Sequence, residues 1–251
     1  MIPAGISVVI PALDEEASIA RAIRSCREAG PCEVIVVDGG SRDRTVEIAR
    51  GRADAVVAAP RGRAAQMNAS AAVARGEVLL FLHADTLLPG RSVSAVLDAL
   101  QDLAVIGGAF RVRLVPSPGA GRYVRATLGI TGWMIGARSY VARAFTGDQA
   151  IFARAEAFRA LGGYPEIPLM EDVELSRRMR RAGKTFLLPL RVETSGRHWE
   201  AWGPLRTVLF MWRLRIGYLL GSTPSRCAEA YRRGPALKRR EPSPPMSSAG
   251  G

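Results

Sequence analysis

Three observations predict an α/β fold built on a Rossmann-like, mostly parallel sheet flanked by helices. Short apolar runs at residues 6–10, 33–37 and 78–82 read as strands buried on both faces. Segments of helical period separate them at roughly 25–40 residue intervals, the spacing of βαβ units. Glycine or Gly-Pro closes most of those segments, as at Gly30-Pro31, Gly76 and Gly183.

The elements follow in order. Residues 6–10 form the first strand, ended by Pro11. Residues 15–28 form a helix with Ile19, Ile23 and Cys26 on one face. After the strand at 33–37, residues 43–50 read as a helix with Ser41 as N-cap. Residues 55–58 form a short strand, 63–75 a helix, 78–82 a strand and 92–100 a helix. The second half is less regular. Residues 107–114 and 148–153 read as strands, and 155–161 as a helix before the turn Gly162-Gly163-Tyr164-Pro165. A helix at 172–182, a strand at 185–188 and a long helix at 203–221 complete it. Residues 121–143, with several Gly and Arg, are ambiguous and compatible with a mobile loop. Residues 234–251 have the composition of a disordered tail.

Composition narrows the function classes. The chain has 251 residues, of which 48% are apolar, enough to bury a core, and only 6% aromatic, which disfavours a stacking platform for single-stranded nucleic acid. Cys26, Cys32 and Cys227 show neither an even count nor a metal-ligand spacing, so they read as small buried hydrophobes in a reducing, cytoplasmic compartment. The start carries no secretory signal pattern. The stretch at 205–221 contains Arg206, Arg213 and Arg215. It can lie on the inner face of a membrane but not cross it.

The net charge is uneven. Residues 1–176 hold 19 Lys+Arg and 19 Asp+Glu, so the whole excess of +12 lies in residues 177–251. A basic last third suits phosphates or acidic lipid. No helix-turn-helix, zinc or RNP signature accompanies it, so nucleic acid is not an expected partner.

Ligands in open α/β sheets bind beyond the carboxyl ends of the strands. The first strand leads into PALDEE (11–16), with neither a GxGxxG nor a P-loop. Its carboxylates also suit a helix start on dipole grounds alone. The second leads into VVDGGSRDRT (36–45), where Asp38 can accept hydrogen bonds from a base or ribose and Gly39 permits close approach. A plain βα turn has the same sequence. The fourth leads into FLHAD (81–85). Asp85 there is a natural ligand for a divalent cation on a diphosphate; His83 is either a second ligand or a structural histidine. Glu171-Asp172 opens a helix and serves either as N-cap or as a general base.

Taken together, PALDEE, VVDGGSRDRT, FLHAD, GDQAIF (147–152) and GGYPEIPLMEDVELSRRMRRAGK (162–184) resemble glycosyltransferase family 2, whose fold is GT-A, over residues 6–190. The GDQ and MED segments and the later GRHWE pattern look closest to a small bacterial branch labelled arsenosugar-biosynthesis glycosyltransferase.

The resemblance implies a role for each residue. Pro11, Ala12, Leu13, Glu15, Asp38 and Gly39 would cradle the uracil and ribose of a UDP-sugar. Asp85 would hold Mn²⁺ or Mg²⁺, and Asp172 would be the catalytic base. The first acid of the family's DxD motif is His83 here, so metal dependence rests on Asp85. Arg61 and Arg63 would neutralise the diphosphate. Asp148, Gln149, Glu171 and Trp199 are candidates for donor sugar or acceptor, and His198 for a late metal ligand.

The expected organisation is one GT-A domain over 1–233. It comprises a nucleotide-binding half (1–105), an acceptor and catalytic half (106–190) and a helical extension (191–233). The expected activity is inverting transfer to an acceptor hydroxyl, the acceptor being a small molecule or a lipid. A sugar-nucleotide nucleotidyltransferase is the alternative, although its basic glycine-rich loop is replaced by the acidic PALDEE. A non-catalytic sugar-nucleotide binder is the other.

Overall fold

The structure, a computed structural model, describes residues 5–235; the tail expected at 234–251 lies almost wholly outside them. Among the described residues, eight strands form: β1 (Ile6–Ala12), β2 (Glu33–Asp38), β3 (Ala55–Ala58), β4 (Val78–Phe81), β5 (Thr86–Leu87), β6 (Val105–Val115), β7 (Phe152–Arg154) and β8 (Lys184–Ser195). They form one sheet in the order β3-β2-β1-β4-β7-β6-β8-β5. The β3-β2-β1-β4 portion is parallel. β7 enters antiparallel between β4 and β6, β6 and β8 run parallel, and β5 closes the edge antiparallel to β8.

Strand alternation feeds two cores. Val8, Ile10, Val34, Val36 and Leu80 face α1 (Ile19–Ala29) and α4 (Ser92–Ala99). Val9, Ile35, Val37, Leu79 and Phe81 face α3 (Arg63–Val73) and α7 (Glu171–Ala182). The short α2 (Thr45–Arg50) and α6 (Ala155–Ala160) follow β2 and β7. Beyond β8, α8 (Arg197–Trp202), α9 (Pro204–Leu219) and α10 (Pro224–Arg233) gather around a third cluster of Met170, Phe210 and Leu214. Among the described residues, no helix is long and apolar enough to cross a membrane.

Several expected elements shift, each for a local reason. β1 continues through Pro11 to Ala12, because the pairing with β4 ends at Val9 and Pro11's missing N–H faces that vacated side. Ser41 does not cap a helix; its Oγ accepts the N–H of Asp14, and α2 starts at Thr45. The stretch expected as a strand at 148–153 is a 3-10 turn, Gly147–Gln149, followed by the short β7. β8 runs to Ser195 because its pairing with β6 continues to Val115, so the helical extension begins at 197, not 191.

The largest correction is at 121–143. Residues Arg122–Ala142 form one 21-residue helix, α5. Its packed face mixes apolar and small residues, Leu128, Thr131, Gly132, Ile135 and Ser139, while Trp133, Tyr140 and Val141 face outward. Gly132 lets α5 approach β6 so closely that an added Cβ would lie 3.1 Å from the carbonyl oxygen of Val112. An apolar-period reading misses such a helix because Thr131, Gly132 and Ser139 interrupt the stripe between Leu128 and Ile135, and large apolar residues such as Trp133 and Val141 lie on the outer face.

Candidate active site

A cleft of about 520 Å³ opens at the carboxyl ends of β1 and β4. One wall is Pro11, Ala12, Leu13 and Glu15 from the β1 exit, with Arg61, Gly62 and Arg63 from the entrance to α3. The floor is His83, Ala84, Asp85, Gly147, Asp148 and Asp172. The opposite wall comes from α5 and α9, with Trp199 and Tyr231 beside it. The volume is in the range of sites for nucleotide-sized ligands.

The first wall is fastened from behind. The buried Gln66 donates through Nε2 to the carbonyls of Ala12 (2.9 Å) and Val37 (2.8 Å). This ties α3 to the ends of both strands. Reading the sequence missed Gln66, since one glutamine on a helix carries no signal of its target. The loops after β1 and β2 are also stitched together: Glu15 N–H donates to Thr45 Oγ1 at 2.8 Å, and Arg42 N–H to Asp14 Oδ1 at 2.8 Å.

Asp38 and Gly39 do not line this cleft. The Asp38 carboxylate accepts the N–H groups of Gly40 (3.0 Å) and Ser41 (3.1 Å), so its visible role is to shape its own turn. Gly40 has φ +94°, the left-handed backbone that such a turn requires.

The floor is organised around Asp172. Met170 starts α7 with φ 72° and is buried in the third cluster, so the helix enters at a fixed angle. Asp172 Oδ2 accepts the Gly147 N–H at 2.7 Å and Oδ1 accepts the Val173 N–H at 2.7 Å. Each carboxylate oxygen thereby keeps acceptor capacity for a proton from a bound group. Gly147 also packs against His83; a Cβ there would lie 2.6 Å from His83 Nε2.

Gln149 does not reach the cleft. It is fully buried, accepting from Ser139 Oγ at 2.9 Å and donating to the Phe110 carbonyl at 3.1 Å. It braces the turn that presents Gly147 and Asp148. Glu171, beside Asp172, is buried away from the lined surface.

The electrostatics follow from burial in a crowded floor. Burial, and then the Asp172 charge, push the Glu171 carboxyl up to about 7, with Arg63 opposing. Burial also raises Asp148, against the pull of Thr146 and Arg138. Burial, with Arg63, pushes the His83 imidazole down to about 3, so it stays neutral near pH 7.

Among the described residues, no three His, Cys, Asp or Glu side chains converge as a metal cage. Asp85 and neutral His83 nonetheless suit a hard or borderline cation that completes its shell with phosphate oxygens and water. The side chain of His198 lies outside the described residues.

Comparison with known proteins agrees with this architecture. Residues 7–154 match the family model described as Glycosyl transferase family 2. The undecaprenyl-phosphate 4-deoxy-4-formamido-L-arabinose transferases of Pseudomonas paraeruginosa and Pseudomonas aeruginosa are 34% identical over 116 residues, 41% of this chain and 34% of theirs. The chain thus spans about a third of the length of those curated relatives.

Among solved structures, a mannosyltransferase from Pyrobaculum calidifontis in complex with GDP-Man and Mn²⁺ is 20% identical with TM-score 0.62, over 92% of this chain and 69% of that one. S. aureus TarS 1–349 with UDP-GlcNAc is 17% identical with TM-score 0.54, over 76% of this chain and 58% of that one. The large mixed sheet flanked by helices is that of the GT-A glycosyltransferases. The match over most of the chain makes it a member of glycosyl transferase family 2.

Proposed function

We propose that the chain is an inverting glycosyltransferase that moves a sugar from a nucleoside-diphosphate donor, a UDP-sugar, to an acceptor hydroxyl. The observation that carries this reading is Asp172. It is a carboxylate on the cleft floor, fixed by two backbone N–H groups, and it shares that floor with Asp85 and a neutral His83. The family assignment and the named ligands of the solved neighbours support the donor class.

In this mechanism the Leu13 and Glu15 wall holds the nucleoside, and Arg61 and Arg63 face the diphosphate. Asp85, with His83, would hold Mn²⁺ or Mg²⁺, which when bound offsets the charge developing on the leaving diphosphate. Asp172 accepts the proton of the attacking hydroxyl, which approaches the face opposite the diphosphate. One base suffices for that single displacement, and an α-linked donor gives a β-linked product.

The acceptor side is the wall made by α5 and α9. The named relatives act on a lipid phosphate, and the outer faces of these helices expose Trp133, Leu205, Leu209, Ile216 and Leu219. Both support an enzyme that works in the cytoplasm and rests on the inner face of a membrane. The arsenosugar branch rests on the GDQ, MED and GRHWE segments alone.

Thermal melting with UDP, GDP, TDP and CDP, each with Mn²⁺ or EDTA, tests the donor. Selective, metal-dependent stabilisation by UDP supports the reading, and no shift with any nucleotide counts against it. NMR assignment of the product anomer tests inversion.

A further inference from the structure

We infer that the α5–α9 wall takes an acceptor that is an amphiphilic acid, and that Arg215 holds its anionic group; this rests on the transferase reading above. Arg215 lines the cleft from α9, one turn beyond Met211 and Trp212, which line it too. Its guanidinium forms no hydrogen bond or ion pair among the described residues, and its Nε is buried without a partner. Other half-buried arginines among the described residues have partners: Arg178 pairs with Glu174, and Arg143 donates to the Thr185 carbonyl. A half-buried guanidinium without a counter-charge is costly, and a bound anion removes that cost.

The neighbouring Arg138 is a different case. Its Nε is also orphaned, but Asp148 and Asp172 face it and offset its charge. The floor carboxylates thus answer Arg138, whereas Arg215 on α9 has a buried Nε and no hydrogen bond or ion pair among the described residues. The donor diphosphate does not require it, since Arg61 and Arg63 stand on the nucleoside wall across the cleft. The wall that carries Arg215 is mainly apolar: Met134, Val208, Met211 and Trp212 line it, interrupted by Thr131 and Thr207, and Trp212 continues onto the exposed face of α9. A cation set in an apolar wall that opens to an apolar surface selects a ligand with an acid group on a hydrocarbon body.

The test is binding, measured by calorimetry on the full chain with octyl phosphate, octanoate, 1-octanol and inorganic phosphate as probes. Octyl phosphate should bind about tenfold or more tightly than 1-octanol, as expected for a charge-assisted hydrogen bond. Inorganic phosphate, lacking the body, should bind more weakly than octyl phosphate. Octanoate matching octyl phosphate assigns a carboxylic acid as acceptor, and octanoate failing assigns a phosphate ester.

Arg215→Gln should lose about tenfold in octyl phosphate affinity and leave UDP affinity unchanged. Arg215→Lys should retain part of it, and equal melting midpoints show that both variants are folded. Equal binding of octyl phosphate and 1-octanol overturns the inference. So does an Arg215→Gln variant that binds octyl phosphate normally, or one that instead loses UDP, which would assign Arg215 to the donor. Failure of the wild type to bind any nucleoside diphosphate would overturn the transferase reading while leaving the anion site standing.

Discussion

The backbone N–H of Gly147 donates a 2.7 Å hydrogen bond to Oδ2 of Asp172, 25 positions further along the chain. Two segments that share no local sequence relation thus define one carboxylate. The turn carrying Gly147 is itself braced by Gln149, and the helix carrying Asp172 is set by Met170.

Gly147→Ala tests that link. The new Cβ would press on His83 Nε2 and lies 3.8 Å from Asp172 Oδ2, so the turn must move. A displacement of about 1 Å at a catalytic group can cost about 100-fold. We expect steady-state kinetics to show kcat falling by about that factor.

Asp172→Asn keeps the shape but removes the base, and it keeps only one of the two backbone hydrogen bonds, because its amide nitrogen cannot accept the N–H that the other carboxylate oxygen holds. Loss of general-base catalysis typically costs about 10²–10⁴-fold. Steady-state kinetics should show that loss in kcat with little change in the donor KM. An Asn variant with near-normal kcat would mean that the acceptor arrives already ionised.

Asp85→Asn addresses the cation. At about 100 times its dissociation constant, a ligand stabilises the fold by about 2.7 kcal/mol. Wild type should show that rise in melting midpoint with UDP plus Mn²⁺ and lose it in EDTA. The variant should show little rise in either condition. An equal shift in the variant would place the cation elsewhere.

The raised Glu171 has a signed consequence for stability. Its ordinary value is 4.5 and burial with the neighbouring Asp172 lifts it to about 7. Between those values the folded protein keeps a proton that the unfolded chain has released, so stability from this group is lost as pH rises through the window. Glu171→Gln cannot ionise. It should melt above wild type at about pH 8, and the two curves should converge at pH 4.5 and below. His83, pushed down to about 3, acts with the opposite sign up to 6.5 and is common to both proteins.

The exposed apolar face of α5 and α9 should bind lipid. Flotation with anionic vesicles at low salt should carry wild type upward, and Leu209→Ser with Ile216→Ser should reduce the bound fraction. Both side chains are more than half exposed, so the changes should leave the melting midpoint nearly unaltered. Absence of the wild type from the floated fraction would dispose of the membrane contact.

The sequence by itself determined the first half of the fold. Strands such as Val34–Val37 are buried on both faces and leave an apolar run, and a helix such as Ile19–Ala29 leaves an apolar stripe, because both patterns are local. It also marked Asp85 and Asp172 as chemistry-bearing residues beyond strand or helix ends. The tertiary structure decided what depends on distant partners. It turned Asp38 toward its own loop, buried Gln149 behind the floor, and packed α5 against β6 through a mixed face with Gly132 at its centre. It also left Arg215 in a mainly apolar wall, with its Nε buried and without a partner among the described residues. Hydrogen bonds and close approaches between segments dozens of residues apart leave no period in a chain, so only the packed structure expresses them.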